Sequence, residues 1–567
     1  MKWCGYSGSG KDFSFVPLSP MSRSRNNIDM KWIYILLAAF FLTMETASAD
    51  VRLPAVISDH AMLQAGKPIA IWGWAEPGAQ VKVAFVGSNG NALGDFSATA
   101  DASGKWSGRL PQQKSGTAGH LDITTDKGGS KTVNDVLIGE VWLGGGQSNM
   151  VYTIDGKAGG DWKNPEEVAA IKQNIIIAQQ EADAAQPPIR YFLVAGYRAD
   201  QPKDDVRGQW VLGDSKNVAT FSAVAWNFAV ALEDKAHVPV GLIVSCVGGT
   251  PAQSWMSKET LAATLVGAEV LEHSQQAFVA AQAAQAKYVA DLKAWTDANP
   301  TPELQGQNAL SKPNPKGAYS APNPQRPLQP YEEVCRLYNG MIHGLEPYTL
   351  RGIIWFQADG NNSYPSEYSE LFQALIKEWR AEWNEALPFY FVEMNNMSKP
   401  QTKPVEPNPL SLIREQQHGG LLQPGVAMVA AIDVGTQNPH FPNKKPVGQR
   451  LAGLALRDCY GQPGPVDSPI FKSFTIEGNK VRLKFDDADG LRVRGGGDLK
   501  GFAIRGSTGD WGWATGKING QDIVVWNDQI GSPAAVRYAW AWNPIISVEN
   551  GAGLPLYPFR TDTDSKD

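Results

Sequence analysis

Short hydrophobic runs, with polar residues between their apolar positions, fill the chain from about residue 51 to residue 132. Examples are Ile69–Trp74 and Val81–Phe85, which are separated by proline- and glycine-containing turns such as Glu76-Pro77-Gly78. Runs of this length and spacing are typical of short β-strands joined by tight turns. The pattern therefore predicts a small β-sandwich at residues 50–135.

From residue 136 onward, apolar strand-like runs alternate with longer stretches of helical periodicity. This alternation is typical of an α/β sheet covered by helices. The strand-like runs include 136–143, 238–245, 352–356 and 389–393, and the helical stretches include 223–234 and 364–383. We predict an α/β domain over residues 136–460, with a helical and Pro-rich insertion at 257–330. β-type runs return after Gly461 and predict a β-rich domain at 461–567.

The first fifty residues have the pattern of an export signal. Lys31 precedes an apolar run from Ile33 to Met44, and Ala47-Ser48-Ala49 supplies a small-residue cleavage site. Because the run is shorter than the roughly 20 apolar residues that span a bilayer, cleavage is favoured over a retained anchor. We predict a signal peptide at residues 1–49 and a secreted or periplasmic protein without stable membrane insertion. Translation from Met30 would make residues 1–29 a mis-assigned start.

Composition narrows the classes of partner. Of 567 residues, 43% are hydrophobic and 19% are charged, which is the balance of a folded multidomain protein. The net charge of -6 disfavours nucleic acid and anionic membranes, because both require clustered Lys and Arg. No CxxC or Cys/His cluster has zinc spacing, so no metal is predicted. Cys246 and Cys335 are expected to be buried free thiols, with a disulfide between them as the alternative.

The segment Leu143–Met150 reads LGGGQSNM and directly follows the strand-like Val141 and Trp142. Glycines let the backbone turn tightly, and a serine in such a turn is exposed at the carboxyl edge of a parallel sheet. The motif differs from the G-x-S-x-G elbow of α/β-hydrolases, because Met150 stands at the second glycine position. From these residues alone, Ser148 is either a nucleophile or part of a Gly-rich turn.

A nucleophilic serine requires a histidine that takes its proton. His440 is the best placed of the seven histidines, because it follows the strand-like run 427–434 and the loop 435–439. His343 and His418 are weaker candidates. The predicted pair is therefore Ser148 and His440.

Several blocks of sequence, in order, resemble the sialate O-acetylesterase family of SGNH hydrolases. They are Gly146–Met150, similar to the GQSNM block; Gly248-Gly249-Thr250-Pro251, similar to the glycine block; Leu337–Ile342, which matches LYNGMI; Gly352–Asn361, where GIIWFQADGN stands for a form like GVIWYQGESN; and His440–Lys444, which fits HPxxK with Phe441 in place of proline. The resemblance covers nearly the whole mature chain. It implies a flavodoxin-like, three-layer α/β/α SGNH-hydrolase domain that is flanked by β-sandwich domains.

The resemblance also implies roles for individual residues. Ser148 corresponds to the nucleophile and His440 to the general base. The oxyanion hole is expected from the backbone N–H of Ser148, the N–H of Gly249 or Gly248, and the side chain of Asn361. Such donors matter because the loss of one typically costs about 3 to 4 kcal/mol of transition-state stabilisation.

The third member of the triad departs from the family pattern. The residue two positions before the histidine is usually aspartate, and here it is Asn438. An asparagine oxygen can accept the imidazole N–H, but it carries no charge to stabilise the imidazolium. We expect Asn438 to orient His440, with Asp359, which stands where the family has glutamate, as second choice and Asp433 as a further alternative carboxylate.

The implied activity is removal of O-acetyl groups from a carbohydrate through an acyl-enzyme, without a cofactor. O-acetylated sialic acid is the first expected substrate, and acetylated plant polysaccharide such as xylan is the alternative. Lys444 or Arg450 is a candidate partner of the sialate carboxylate, unless these are ordinary surface charges. A hypothesis from another class is a carbohydrate-binding protein with a decayed esterase site, motivated by Asn438 and by 19 tryptophans. Tryptophans can stack on sugars, although most pack in cores. The sequence does not indicate the oligomeric state.

Overall fold

The computed structural model describes residues 50–298 and 334–563, apart from residues 161, 186, 187, 407 and 465. The predicted signal peptide and the Pro-rich part of the predicted insertion lie outside the described residues. The chain from Asp50 onward belongs to one compact unit.

The strands follow the chain from β1 to β23. They are β1 (Met62–Gln64), β2 (Ile69–Trp74), β3 (Gln80–Gly87), β4 (Ala92–Thr99), β5 (Lys105–Leu110), β6 (Ala118–Thr125), β7 (Ser130–Gly146), β8 (Ile189–Leu193), β9 (Trp210–Leu212), β10 (Val240–Cys246), β11 (Gly352–Phe356), β12 (Phe389–Val392), β13 (Val426–Val429), β14 (Ile470–Glu477), β15 (Lys480–Asp486), β16 (Arg492–Val493), β17 (Phe502–Gly506), β18 (Gly512–Trp513), β19 (Thr515–Asn519), β20 (Asp522–Trp526), β21 (Pro533–Tyr538), β22 (Val548–Glu549) and β23 (Phe559–Arg560).

The helices lie mainly between the strands of the α/β part. The α-helices are Ser148–Val151, Pro165–Ala184, Ala223–Ala236, Lys258–Ala262, Leu265–Ala298, Tyr368–Glu382, Pro409–Gln417 and Lys445–Tyr460. Lys258–Ala262 and Leu265–Ala298 fall within the predicted insertion. In the part of the chain that the structure describes, none of the helices is long and apolar enough to cross a bilayer.

A mainly parallel sheet with strand order β13-β12-β11-β7-β10-β8-β9 forms the centre of the molecule. β10, β11 and β12 pair in parallel with their neighbours, and nearly every residue in them is buried. Strands covered on both faces need apolar residues at every position, which explains continuous runs such as Gly352–Phe356. β7 lies at the point where the chain order reverses, since β10 flanks it on one side and β11 on the other. Ligands of open α/β sheets bind at the carboxyl edge of such a point.

Helices pack in pairs against this sheet. Ala223–Ala236 contacts Lys445–Tyr460, and Tyr368–Glu382 contacts Pro409–Gln417. Gly448 allows the first pair to approach closely, because a Cβ at this position would lie 2.6 Å from the Cβ of Asn227 and from the backbone nitrogen of Phe228. The predicted class, an α/β domain with additional β-rich parts, is confirmed.

β7 belongs to two sheets along its length. Its first part pairs antiparallel with β6, which continues through β3 to β4, and its second part pairs in parallel with β10 and β11. β2 and β5 form a separate two-stranded ribbon in the same N-terminal region. The domain boundary that the sequence suggested between residues 135 and 136 therefore falls inside one strand, at Asp135, whose φ is 51°.

Two antiparallel four-stranded sheets make up most of the C-terminal part. Their strand orders are β14-β15-β20-β19 and β18-β17-β21-β23. Alternating residues of β15 and β20 are buried, so one face of this sheet contributes to the core. That core is a second hydrophobic cluster, which includes Leu483, Ile523 and Val536 and is separate from the main core of the α/β part.

Candidate active site

Ser148 lies at the carboxyl end of the central strand β7 and is the first residue of the short helix Ser148–Val151. It is partly exposed, whereas its neighbours Gln147 and Asn149 are buried. The backbone N–H groups in the first turn of a helix have no acceptor within the helix. In this turn the N–H of Met150 donates to the carbonyl oxygen of Gln147 at 2.8 Å, and Ser148 lies at the partly exposed start of the turn.

Gly146 makes this turn possible. Its φ is 134°, and a Cβ at this position would lie 2.2 Å from the carbonyl oxygen of Phe356 in β11. The next residue, Gln147, donates its backbone N–H to the same oxygen at 2.9 Å. Only glycine fits here, because any side chain would collide with the neighbouring strand.

The glycine block after β10 faces Ser148. A Cβ on Gly248 would lie 3.6 Å from the Cβ of Ser148, so this glycine borders the serine directly. Gly249 has a φ of 70°, and a Cβ there would meet no atom within 4 Å. Both glycines that the sequence offered for the oxyanion hole thus lie in the turn beside the serine.

Asn361 holds the third loop of the site, after β11. Its Oδ1 accepts hydrogen bonds from the backbone N–H of Ala252 and from Gln357 Nε2, both at 2.9 Å. Its Nδ2 donates to Gln253 Oε1 at 2.9 Å. An amide nitrogen carries two N–H groups, and one of them is used in this bond to Gln253. The predicted role of Asn361 in the oxyanion hole requires the other N–H.

His440 is half-buried, and its ring is held by a backbone carbonyl. Its Nδ1 lies 3.0 Å from the carbonyl oxygen of Gly159. Because a carbonyl oxygen can only accept, Nδ1 carries the proton and the lone pair is on Nε2. Burial lowers the pKa of the His440 imidazole, the neighbouring Lys444 amine lowers it further, and the Gly159 carbonyl acts in the opposite direction. Each of the first two effects favours the neutral form that a general base needs.

Asn438 does not hold the imidazole as we expected. Its Oδ1 accepts a hydrogen bond from the backbone N–H of His440 at 3.0 Å. A side chain that bonds a backbone N–H two residues later forms an Asx-type turn. Asn438 therefore shapes the loop that carries His440, and the partner of the ring is the carbonyl of Gly159.

Asp359 is also directed elsewhere. Its Oδ1 accepts a hydrogen bond from Gln147 Nε2, and Gln147 Oε1 in turn accepts the backbone N–H of Gly360 at 3.0 Å. Burial raises the pKa of the Asp359 carboxyl to about 6. The carboxyl thus ties the loop after β11 to the residue before Ser148.

Asp433, the other alternative carboxylate, belongs to an ion cluster. Its oxygens accept from Arg450 at 2.7 and 2.8 Å and from Arg494 at 2.8 Å. Burial acts to raise the pKa of Asp433, but Arg450 and Arg494 outweigh it and hold that pKa below the ordinary value. The charge of Asp433 is therefore neutralised by arginines rather than by an imidazolium.

A buried polar network connects the serine turn to the histidine loop. Asn149 Nδ2 donates to Asn395 Oδ1 at 3.0 Å and to the carbonyl oxygen of Pro439 at 3.2 Å. Asn149 Oδ1 accepts from Lys444 Nζ. The residue after Ser148 and the residue before His440 are thus hydrogen-bonded to each other.

Lys444 sits in an aromatic environment at the base of this network. It is 1% exposed, and its Nζ lies 3.3 Å from the ring centre of Phe441 and 5.0 Å from that of Tyr152. Burial lowers the pKa of the Lys444 amine well below its ordinary value. Because Lys444 is buried and Arg450 is paired with Asp433, the suggestion that either cation meets a sialate carboxylate is not supported.

Several residues of the site escaped sequence reasoning. Asn149 was part of the GQSNM block but had no assigned role, and the carbonyl of Gly159 has no signal in the sequence at all.

Across the described ranges, no group of three His, Cys, Asp or Glu side chains is placed to hold a metal ion. Cys246 and Cys335 are free thiols, and burial raises the pKa of each to about 12.

Comparison with known proteins gives this geometry a context. Residues 320–457 match the family model described as carbohydrate esterase, sialic acid-specific acetylesterase. The crystal structure of a carbohydrate acetylesterase from Xanthomonas citri superposes with a TM-score of 0.72 at 30% identity, covering 91% of this chain and 100% of that one. The sialate O-acetylesterase of Mus musculus is 24% identical over 90% of this chain and 93% of its own length. The Homo sapiens enzyme is 25% identical over 88% of this chain and 89% of its own.

Fold, site and relatives together define a carboxylic ester hydrolase that removes O-acetyl groups. The candidate active site lies at the carboxyl edge of an α/β sheet that carries a serine turn, a glycine turn and an asparagine loop. Within that class, the chain belongs to the carbohydrate esterase family of sialic acid-specific acetylesterases. The suggestion of a decayed carbohydrate-binding protein is therefore set aside.

Proposed function

We propose that Ser148 and His440 carry out the hydrolysis through an acyl-enzyme. The observation that carries this proposal is the hydrogen bond between Asn149 Nδ2 and the carbonyl oxygen of Pro439, at 3.2 Å. It joins the neighbour of the serine to the neighbour of the histidine, so the two loops are tied to each other. Preorganised geometry of this kind is what a nucleophile and its base require.

In the proposed mechanism, His440 Nε2 takes the proton of the Ser148 hydroxyl as the oxygen attacks the acetyl carbonyl. The developing oxyanion accepts from the N–H of Ser148, from a glycine N–H at Gly248 or Gly249, and from the free N–H of Asn361. His440 then gives the proton to the departing sugar hydroxyl. Water, activated by the same imidazole, releases acetate from Ser148 and restores the enzyme.

The imidazolium formed in this cycle has no carboxylate partner in the arrangement described above. The Gly159 carbonyl fixes the Nδ1 tautomer through a neutral hydrogen bond. A carbonyl dipole stabilises a neighbouring positive charge less than a carboxylate does. We therefore propose a serine–histidine dyad assisted by a backbone carbonyl.

O-acetylated sialic acid is the substrate that we propose first. Its support is that proteins named sialate O-acetylesterase match this chain over about nine-tenths of its length. A second candidate, acetylated neutral polysaccharide such as xylan, is favoured by a specific observation. Lys444 is buried and Arg450 is bound to Asp433, so the two cations that the sequence offered for a sialate carboxylate are both occupied.

We also propose that the protein is exported to the periplasm or the medium, because Ile33–Met44 and Ala47-Ser48-Ala49 have the pattern of a cleaved leader. Amino-terminal sequencing of the protein recovered from the cell envelope and the medium tests this. A start at Asp50 is expected, and a chain that retains residues 31–49 would contradict it.

The experiment that tests the activity is acetate release by the mature protein from O-acetylated sialic acid and from acetylated xylan. Ser148→Ala and His440→Ala are each expected to lower kcat by about 10⁴-fold or more without loss of folding, because they remove the nucleophile and the base. Ser473→Ala is the control, since this exposed serine lies on strand β14 of the C-terminal part. Full activity of Ser148→Ala would overturn the mechanism.

A further inference from the structure

A cleft of about 580 Å³ shares no lining residue with the candidate active site. One wall is the ribbon formed by β2 and β5, together with Ser97–Thr99 of β4. The other is the segment around His343, Glu346 and Pro347, which precedes β11. The volume is within the range of roughly 300 to 1,000 Å³ that is usual for small-molecule sites, and such sites are frequent where different parts of a fold meet.

The register of the ribbon shows which side chains share a face. Trp74 pairs with Lys105, and Trp72 pairs with Ser107. Because side chains alternate along a strand and directly paired residues point to the same side, these four lie on one face of the ribbon. All four line the cleft. This face therefore combines the partly exposed indole of Trp74, the edge of the Trp72 indole, which is 7% exposed, a hydroxyl and an ammonium group.

The two indoles are fixed in place by their neighbours. The guanidinium of Arg52 lies 3.4 Å from the ring centre of Trp74. The ring of Trp72 meets Tyr348 edge to face, with centroids 6.2 Å apart. Aromatic surfaces held in this way lose little conformational entropy when a ligand packs on them.

The opposite wall supplies polar groups. His343 Nδ1 lies 3.0 Å from Glu346 Oε1, which also accepts from the hydroxyl of Tyr338 at 2.7 Å. Lys105 Nζ spans the cleft to Asp204 Oδ1 at 2.7 Å, where both side chains are about half exposed. The walls are thus connected by an exposed ion pair, which water or a ligand hydroxyl can replace at little cost.

The charges of the lining select the class of ligand. Lys105 is neutralised by Asp204, and the remaining acidic side chains are Asp101 and Glu346. A carboxylate-bearing ligand would be repelled by them. A neutral ligand with apolar faces for the indoles and hydroxyls for the carboxylates, His343 and Ser107 matches the lining instead.

We propose that this cleft is a second binding site, distinct from the hydrolytic one, for an uncharged sugar unit of the acetylated glycan. The pyranose ring packs its C–H face on the exposed part of the Trp74 indole, beside the edge of Trp72, and its hydroxyls bond to the polar groups of the opposite wall. Binding at two places on one chain raises the effective concentration of the ester near the hydrolytic site. The ligand class follows from the carbohydrate esterase family, and the site itself does not depend on the assignment of Ser148.

The test fills the cleft without removing any contact that supports the fold. Ser107→Trp and, independently, Ser97→Trp introduce bulk at two exposed lining positions. Ser473→Trp is the matched control, because Ser473 is an exposed serine on strand β14 of the C-terminal part. Calorimetry with unesterified xylohexaose, cellohexaose and mannohexaose measures binding, with 3′-sialyllactose as the anionic comparison.

The expected result is that at least one neutral hexasaccharide binds the wild-type protein, Ser148→Ala and Ser473→Trp alike. Ser107→Trp and Ser97→Trp should weaken that binding about tenfold or more and raise KM for acetylated polymer by a similar factor, with kcat on a small aryl acetate unchanged. Absence of binding by all three sugars, equal binding by the filled variants, or preferential binding of 3′-sialyllactose in this cleft would overturn the proposal. Because the sugars carry no ester, loss of hydrolysis in Ser148→Ala cannot be mistaken for loss of this site.

Discussion

Replacement of Lys444 by methionine tests whether the buried network positions His440. Methionine matches the length of the lysine stem but has no donor, so Asn149 Oδ1 loses the hydrogen bond from Nζ. Asn149 is 2% exposed and would have no access to water. Its side chain is then free to rotate and to release the carbonyl of Pro439, which holds the residue before His440.

The expected magnitudes separate activity from stability. An unsatisfied buried acceptor costs about 1 to 3 kcal/mol, and loss of the contact with the Phe441 ring costs about 1 kcal/mol more. The variant also avoids the cost of burying an amine, which is comparable in size and acts in the opposite direction. The free energy of unfolding should therefore change by less than about 2 kcal/mol. Displacement of the base by about 1 Å lowers kcat by up to roughly 100-fold.

The assay is kcat and KM on a small aryl acetate, together with thermal unfolding. Lys444→Gln keeps an N–H donor for Asn149 without charge, and it should recover most of the kcat lost in Lys444→Met. Lys445→Met is the control, because this neighbouring lysine is partly exposed and pairs with Glu181. Wild-type kcat in Lys444→Met, or equal damage in Lys444→Gln, would refute the positioning role.

The same variants should alter the pH profile. The Lys444 amine lowers the pKa of His440, so its removal raises that pKa. A base with a higher pKa becomes protonated at higher pH, and the acid limb of kcat/KM should therefore move to higher pH in both Lys444→Met and Lys444→Gln. A shift in the opposite direction would show that the amine acts on His440 by another route.

Three further substitutions test individual assignments. Asp359→Asn should lower kcat by less than about tenfold in steady-state assays, because the Asp359 carboxyl is hydrogen-bonded to Gln147 and not to His440. Loss of an aspartate that belongs to a catalytic triad would instead lower kcat by about 10⁴-fold. Asn438→Asp adds a charge near the loop of His440, so the acid limb of kcat/KM should move to higher pH; an unchanged profile would contradict this. Burial raises the pKa of Glu378 from 4.5 to about 7. Between these pH values the folded protein holds a proton on Glu378 that the unfolded chain has lost, so the free energy of unfolding falls as the pH rises. Urea unfolding should therefore find Glu378→Gln equal to wild type near pH 4.5 and more stable at pH 8, by up to about 3 kcal/mol.

Hydrophobic periodicity was sufficient to predict the α/β core and the β-rich parts on either side. Parallel strands such as Gly352–Phe356 are buried on both faces, so their sequences are almost continuously apolar and easily recognised. The serine turn was also predictable, because a glycine directly before Gln147-Ser148 permits backbone conformations that other residues rarely adopt, and Gly146 has a φ of 134°. These features depend on residues that are adjacent in sequence.

Contacts between distant segments could not be predicted in the same way. The carbonyl that holds His440 belongs to Gly159, which is 281 positions away, and every residue has such a carbonyl. The burial of Lys444 depends on rings from three separate segments, at Tyr152, Phe356 and Phe441. Asn438 was assigned from its distance in sequence to the histidine, but its side chain turns back to the backbone.

The continuity of β7 limits how this protein can be divided by engineers or by recombination in evolution. A cut at residue 135 would divide β7, so the N-terminal sheet would lose the pairs of Ala118 with Leu137 and of Gly119 with Val136, although residues 130–133 would still pair with β6. Met62–Gln64 pairs with Leu137–Gly139, which lies beyond the cut. Strand β1 would therefore stay in the first fragment and its partner would be in the second. The N-terminal sheet is therefore not an exchangeable cassette. Insertions or gene fusions should be placed in the exposed turn at Asn89-Gly90, where the chain reverses between two strands that stay together.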